Sequence, residues 1–343
     1  MHHFRIDLRS DTKTIPSAAM RAAMAQASVG DEQLDEDPSV NELVARVSTL
    51  LGKQKALFLP SGTMCNLIAV LVHCRPGDEI IAADNSHLIS SESAGATALA
   101  GAQIRPVPAE RGIFSAEQVA IAVRPQKVNA PTTRLIHVEQ TVNRGGGAIW
   151  PIDVLRDLAR FSRERGLAMH IDGARLMNAV VGSGVDAKDY GDCCDSVWLD
   201  LSKGLGCPMG AVLAGSDEFI EAARRWKFRL GGAMRQAGIV AAAGLYALEN
   251  NVSGLQTDHQ KARRFADALS SHECVLVGNP ETNLVFFEIN SRRMNAAQLA
   301  HELALEGIGI GVESATLLRA VTHLDVSTAN VDEAAATICR ILR

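Results

Sequence analysis

Two apolar runs, Leu167–Ile171 and Ser196–Leu201, read as buried strands of a parallel sheet, and each breaks at a small residue close to an ionisable one. The first leads into HIDGAR (170–175), the second into LSKGLG (201–206). In an open α/β sheet, ligands bind just beyond the carboxyl ends of the strands, so Asp172 and Lys203 are expected at one edge. A carboxylate and an amine delivered there together point to pyridoxal phosphate. That cofactor needs a lysine for a Schiff base and an anionic partner that keeps its pyridine nitrogen protonated. Taken singly, Asp172 reads as a helix N-cap and Lys203 as a solvated side chain. Together they weigh more, because Lys203 stands between Ser202 and Gly204 in an apolar context where an unpaired ammonium is costly.

The 343 residues suffice for a large core and two domains, expected as a cofactor-binding domain over 1–250 and a small α/β domain over 251–343. A formal charge of -5 argues against a nucleic-acid partner, which calls for a basic face. No apolar run reaches membrane-spanning length and no signal-peptide core opens the chain, so no membrane partner is expected. The seven cysteines include the adjacent Cys193 and Cys194 and no C-x-x-C, which indicates neither a disulfide framework nor a metal site. Reduced thiols in the cytoplasm are the simplest account.

Along the chain, residues 5–12 (RIDLRSDT) alternate too irregularly for a long strand. They read either as an exposed arm or as an arm (1–15) lying across an active site, where Ser10 and Asp11 bond a substrate. A helical pattern from Ser17 to Ala27 and an acidic loop, Gly30–Asp37, come next. Pro38 then opens a helix behind its cap Asp37, with Val40, Leu43, Val44, Val47 and Leu51 on one face. After the strand Leu57–Leu59, Ser61, Gly62 and Thr63 fall at a helix N-terminus, where free N–H groups, the dipole and two hydroxyls suit a phosphate; simple capping is the alternative. No G-x-G-x-x-G follows a strand, and no Walker lysine motif exists. The strand Asp78–Ala83 delivers His87, able to stack on a flat cofactor or to move a proton, with Glu92 placed to orient it; a histidine satisfied by a local bond is the bland alternative.

Further strands are expected at Gln103–Val107 and Leu135–Val138, and a helix over Ile152–Arg165. Beyond Lys203 come the strand Gly210–Ala214 and a helix over Glu218–Phe228, whose cluster of Arg224, Arg225 and Lys227 reads as a solvated face. Arg235 opens the apolar helix Ile239–Leu248 and can reach an anion. The small domain is expected as helix 259–271, strand Leu284–Ile289, helix Ala296–Glu306, strand Leu317–Val321 and a closing helix. Arg319 within that last strand suits a bidentate grip on a substrate carboxylate, or a salt bridge between domains.

With these residues in place, the chain resembles the low-specificity, bacterial type of L-threonine aldolase, a beta-eliminating lyase of pyridoxal phosphate fold type I (aspartate aminotransferase-like). The likeness is carried by DLRSDT at 7–12, VGDE at 29–32, EDPSVNEL at 36–43, LPSGTMCN at 59–66, HIDGAR, LSKGLG, MRQAGI at 234–239 and LRAVTHLDVS at 318–327. The resemblance implies a homotetramer built from dimers, with active sites shared across the dimer interface. It implies Lys203 as the attachment point, Asp172 at the pyridine nitrogen, His87 stacked on the ring, and Gly62 and Thr63 on the phosphate, with Ser61 and Ser202 beside them. Arg235 would approach from the neighbouring subunit, and Ser10, Arg175 and Arg319 would hold the substrate carboxylate. The implied reaction is retro-aldol cleavage of a β-hydroxy-α-amino acid to glycine and an aldehyde, with His87, or a water it positions, as first candidate for the base.

Three departures bear on the substrate. Asn129 stands where the family presents a second histidine, Leu34 where a tyrosine is common, and Ser91 where an aromatic residue often follows the active-site histidine. Asparagine donates or accepts a hydrogen bond but is no base near neutral pH. A preference displaced toward larger β-substituents, or weak threonine cleavage, is therefore expected. Other readings are a related transaldolase, a β-eliminating lyase or a racemase, all with the same lysine and aspartate, and, from another class, a cofactor-binding protein without turnover.

Overall fold

Seven strands form one sheet in the spatial order Lys55–Leu59, Ala211–Gly215, Ser196–Asp200, Ala168–Asp172, Thr132–Glu139, Asp78–Ala83, Gln103–Val107. The computed structural model describes residues 4–291 and 293–343, so the first three residues of the expected arm lie outside the described residues. The five strands from Ser196–Asp200 to Gln103–Val107 are parallel, whereas Ala211–Gly215 runs against both its neighbours. Every residue of Ser196–Asp200 and Ala211–Gly215 is buried, as a strand covered on both faces by helices requires. The carboxyl ends of the parallel strands share one edge. Asp172 and Asp200 are the last residues of their strands there, with Lys203 in the loop that follows.

Local chemistry sets the covering helices. Asp37 accepts from Val40 N at 3.1 Å and Pro38 occupies the first turn of helix Pro38–Leu50, which buries Val40, Leu43 and Val47. Helix Ile152–Arg165 ends at Gly166, whose φ of 65° belongs to the left-handed region that closes helices. Helix Ala18–Ala25 is two residues shorter than the pattern suggests at its C-terminal end. Helices Ala116–Ala122 and Leu176–Ser183, absent from the sequence reading, complete connections between strands. Among the described residues no helix is long and apolar enough to cross a membrane.

A second core lies in the last third of the chain, where an antiparallel sheet in the order Gly311–Val312, Leu317–Val321, Leu284–Ile289, Val275–Val277 is backed by helices Leu255–Ser270 and Thr328–Leu342. Ile6 and Leu8 belong to this core, with Phe265, Phe287 and Leu318. The exposed-arm reading is thereby corrected. Ile6–Asp7 is a two-residue strand paired in parallel with Ile308–Gly309, too short for periodicity to register, and Asp7 and Arg9 bond each other at 2.6 and 2.8 Å. Lys227 corrects a second expectation. It lies at the spacing of Ile220 and Ala223 on the inner stripe of helix Asp217–Arg229, and is buried against Glu32 instead of solvated.

Candidate active site

At the strand edge a cavity of about 430 Å³ brings together Ser61, Gly62, Thr63, His87, Asp172, Arg175, Ser202, Lys203 and Arg319, with Ser10 and Ser91 at its wall. Asp172 is held on both oxygens, by Ala174 N at 2.9 Å and by Asn66 Nδ2 at 2.7 Å. Asn66, which the sequence reading passed over, is a hub. Its Nδ2 also donates to Glu92 at 2.7 Å, and its Oδ1 accepts from Trp198 Nε1 at 2.7 Å. Asn66 lies on helix Gly62–His73, whose first residues carry N–H groups ahead of the helical bonding pattern and so face the cavity with the positive end of the dipole. Ser61 caps that helix, accepting from Met64 N at 3.3 Å. Gly62 seats the helix on the indole of Trp198, since a Cβ there would lie 2.1 Å from the ring.

Lys203 Nζ stands 2.7 Å from Asp200 Oδ2, and Asp200 Oδ1 accepts from Ser202 N at 2.8 Å and Ser202 Oγ at 2.9 Å. The backbone carbonyl of Lys203 accepts from Thr14 Oγ1 at 2.9 Å, which ties the N-terminal segment to the lysine loop. Asp200 was not singled out from sequence. An acid three residues before the lysine, at the end of a strand, was the available signal.

His87 Nδ1–H donates to Glu92 at 2.8 Å, and His87 N donates to Glu139 at 2.8 Å. The Glu92 bond first, and then the charges of Asp172 and Glu139, outweigh burial and raise the imidazole above its ordinary value. Burial, then the neighbouring Asp172, pushes Glu139 up to about 7 even though it accepts from Asn143 N and His87 N. Glu92→Gln is therefore expected to make His87 lose its proton at a lower pH than in the parent, which an NMR titration of its ring protons reads; an unchanged midpoint would remove Glu92 as the cause. Ligand atoms of His87, Glu92 and Asp172 lie within 4.8 Å of one another, and the amide of Asn66 donates to both carboxylates.

Arg175 is 7% exposed and forms a two-point pair with the fully buried Asp11, through Nε at 2.7 Å and Nη2 at 2.8 Å. Burial alone would raise Asp11, but the Arg175 guanidinium holds its carboxyl well below the usual range. Asp11 thus orients the arginine. Arg319 Nη1 donates to Asn143 Oδ1 at 3.2 Å and Nη2 to Arg9 O at 3.3 Å, with Glu313 3.3 Å from Nε. Ser10 caps a short 3-10 turn, accepting from Thr12 N at 3.2 Å.

Three expected site residues stand outside this cavity within one chain. Leu34 is 65% exposed at the end of the turn Glu32–Leu34. Asn129 is on the exposed loop that leads into the opposite end of the strand Thr132–Glu139. Arg235 is exposed and paired with Asp31 at 2.6 Å.

The cavity fits pyridoxal phosphate by its donor set. A helix N-terminus with two hydroxyls suits the phosphate, a lysine suits the aldehyde, and a carboxylate held by two donors suits a protonated ring nitrogen. The sequence model of the Beta-eliminating lyase family matches residues 7–292. The chain is 42% identical over 332 residues to the low specificity L-threonine aldolase of Escherichia coli strain K12, covering 96% of this chain and 97% of that protein. It is 41% identical to the probable low-specificity L-threonine aldolase 2 of Arabidopsis thaliana, over 95% of this chain and 94% of the plant protein. A solved structure of Leishmania major threonine aldolase superposes with a TM-score of 0.85 at 18% identity, over 98% of this chain and 100% of the other.

Proposed function

The chain belongs to the Beta-eliminating lyase family and stands among its low-specificity L-threonine aldolases, and from that premise we propose that it is a pyridoxal phosphate-dependent aldolase cleaving an L-β-hydroxy-α-amino acid to glycine and an aldehyde. The observation that carries this reading is the joint presence in one cavity of Lys203, the doubly held Asp172 and two arginines. A protein that merely stores the cofactor has little use for Arg175 and Arg319 together.

Pyridoxal phosphate, when bound, supplies the electron sink for the pair released on bond cleavage. The residues do the rest. Ser61, Gly62, Thr63 and Ser202 would hold the phosphate, Lys203 the aldehyde carbon, Asp172 the protonated ring nitrogen, and His87 would cover the ring face. Ser10, Arg319 and the N–H bonds that Asp11 leaves free on Arg175 grip the substrate carboxylate. Held by its carboxylate, the substrate would keep one fixed orientation in the cavity, and so would the bond that breaks. His87, or a water it positions, takes the β-hydroxyl proton, and Glu92 stabilises the charge that results.

We assign the chain to a homotetramer of dimers in the cytoplasm. In support, Leu34 is exposed on the loop that Arg235 clasps through Asp31, and Phe228 and Ile239 nearby are about half exposed, a face suited to a second subunit. All seven cysteines are free thiols. Arg235, Leu34 and Asn129 then act at the neighbour's site. Ser91 widens the aldehyde side of the pocket and Leu34 makes it less polar, so kcat/KM is expected to be higher for phenylserine than for threonine. Steady-state assays on threonine, allo-threonine and phenylserine decide it, and a clear preference for threonine sinks the preference. The class of reaction is tested by its products: glycine plus aldehyde supports an aldolase, whereas a 2-oxo acid plus ammonia, or the opposite enantiomer, overturns it.

A further inference from the structure

Two acids in the cavity have no part in that scheme: Glu139, which is taken up by the backbone N–H groups of His87 and Asn143, and Asp200. Asp200 ends its strand with a side chain 5% exposed, fixed on one oxygen by Ser202 and presenting the other to Lys203 Nζ at 2.7 Å. A carboxylate so placed stabilises whatever proton the nitrogen carries. Its field reaches further, because the buried thiols of Cys65 and Cys207 are pushed up by burial and then by Asp200.

We propose that Asp200 is the resident counter-ion of the Lys203 nitrogen, stabilising the proton it carries while it is bonded to the cofactor and still facing it after substrate has displaced it. The proposal rests on Lys203 being the attachment point. In that exchange the bond from the cofactor carbon to Nζ breaks and one to the substrate nitrogen forms. The incoming ammonium gives up two protons to become the new protonated Schiff base, and Nζ, already carrying one, gains both and leaves as ammonium. Charge and atoms balance with no further reagent, and the ammonium is left beside Asp200.

Other charged groups face this corner. Asp11 and Arg175 offset each other as a closed pair, although each also feels Lys203 or Asp200. Asp172 is turned to Asn66 and Ala174, His87 is engaged by Glu92, Glu139 accepts backbone N–H groups, and Arg319 lies against Glu313. Asp200 is the carboxylate in direct contact with Nζ, so its removal is the specific perturbation.

The test is a spectrophotometric pH titration of the loaded protein, following the yellow band of the protonated Schiff base. Asp200→Asn keeps an oxygen for Ser202 and removes the charge. It is expected to shift the midpoint of the band to lower pH by roughly one unit or more, a tenfold change in proton affinity. Asp200→Glu, which returns the charge, is expected to recover most of that shift, a rescue that a purely structural role would not produce. Asp200→Ser, smaller and neutral, gives the same reading if the amide variant folds poorly. A neutral variant that loads cofactor, keeps the parent melting temperature and titrates at the parent midpoint overturns the proposal. A parent protein that never turns yellow removes the attachment reading itself, which distinguishes the two failures.

Discussion

Asp11→Ala costs the fold about 3–5 kcal/mol, the range for removing one partner of a buried ion pair. The loss comes from what remains. Arg175 is 7% exposed and would keep its charge with neither water nor carboxylate against Nε and Nη2, and Asn283 Nδ2 would lose an acceptor at 3.1 Å. Urea unfolding of parent and variant measures the difference as a lower midpoint at unchanged slope. A drop below about 1 kcal/mol, the range of exposed pairs, would mean that water reaches the arginine. The pH dependence has a definite sign. Because the folded carboxyl lies below the unfolded value of about 3.9, its contribution is present above that pH and is lost as pH falls toward the folded value. The alanine variant is therefore expected to show less acid destabilisation in that window than the parent.

Lys203→Ala removes turnover by more than the roughly 10²–10⁴-fold that loss of a positioned proton-transfer group costs, because the attachment point disappears as well. Two readouts separate this from misfolding. Borohydride reduction followed by peptide mapping finds the cofactor on the 203 peptide of the parent and on none of the variant's peptides. The cofactor-free variant keeps a cooperative melting transition, lowered from that of the cofactor-free parent because Asp200, 5% exposed, loses the ammonium it faces while keeping its two bonds from Ser202. Retained turnover in Lys203→Ala would leave the proposed function without its central residue.

Much of the architecture was legible because it is written in short-range patterns. Helix Ile152–Arg165 matches its expected bounds, since an amphipathic stripe runs into a glycine stop. Strands Leu284–Ile289 and Leu317–Val321 also match. The meeting of Asp172 and Lys203 in one cavity was legible because strand ends in a parallel sheet share an edge, and the contact of His87 with Glu92 because the two are five positions apart. What escaped is long in range. Asn66 reaches Asp172 across 106 positions and Asp11 reaches Arg175 across 164, separations that no window of periodicity spans. Lys227 escaped for another reason. Composition marks a lysine as solvated, while its place on the helix stripe, opposite Glu32, does not.

The pairing of Ile6–Asp7 with Ile308–Gly309 has a bearing on how the protein is made. A ribosome releases the first strand long before its mate is translated, and local structure near residue 6 has nothing to build on in the interval. Arg319, which lines the same cavity as Lys203, is translated later still. Assembly of the pocket is then among the last events of biogenesis, and a nascent chain halted before Ile308 carries Lys203 with neither the strand that pairs its first segment nor Arg319.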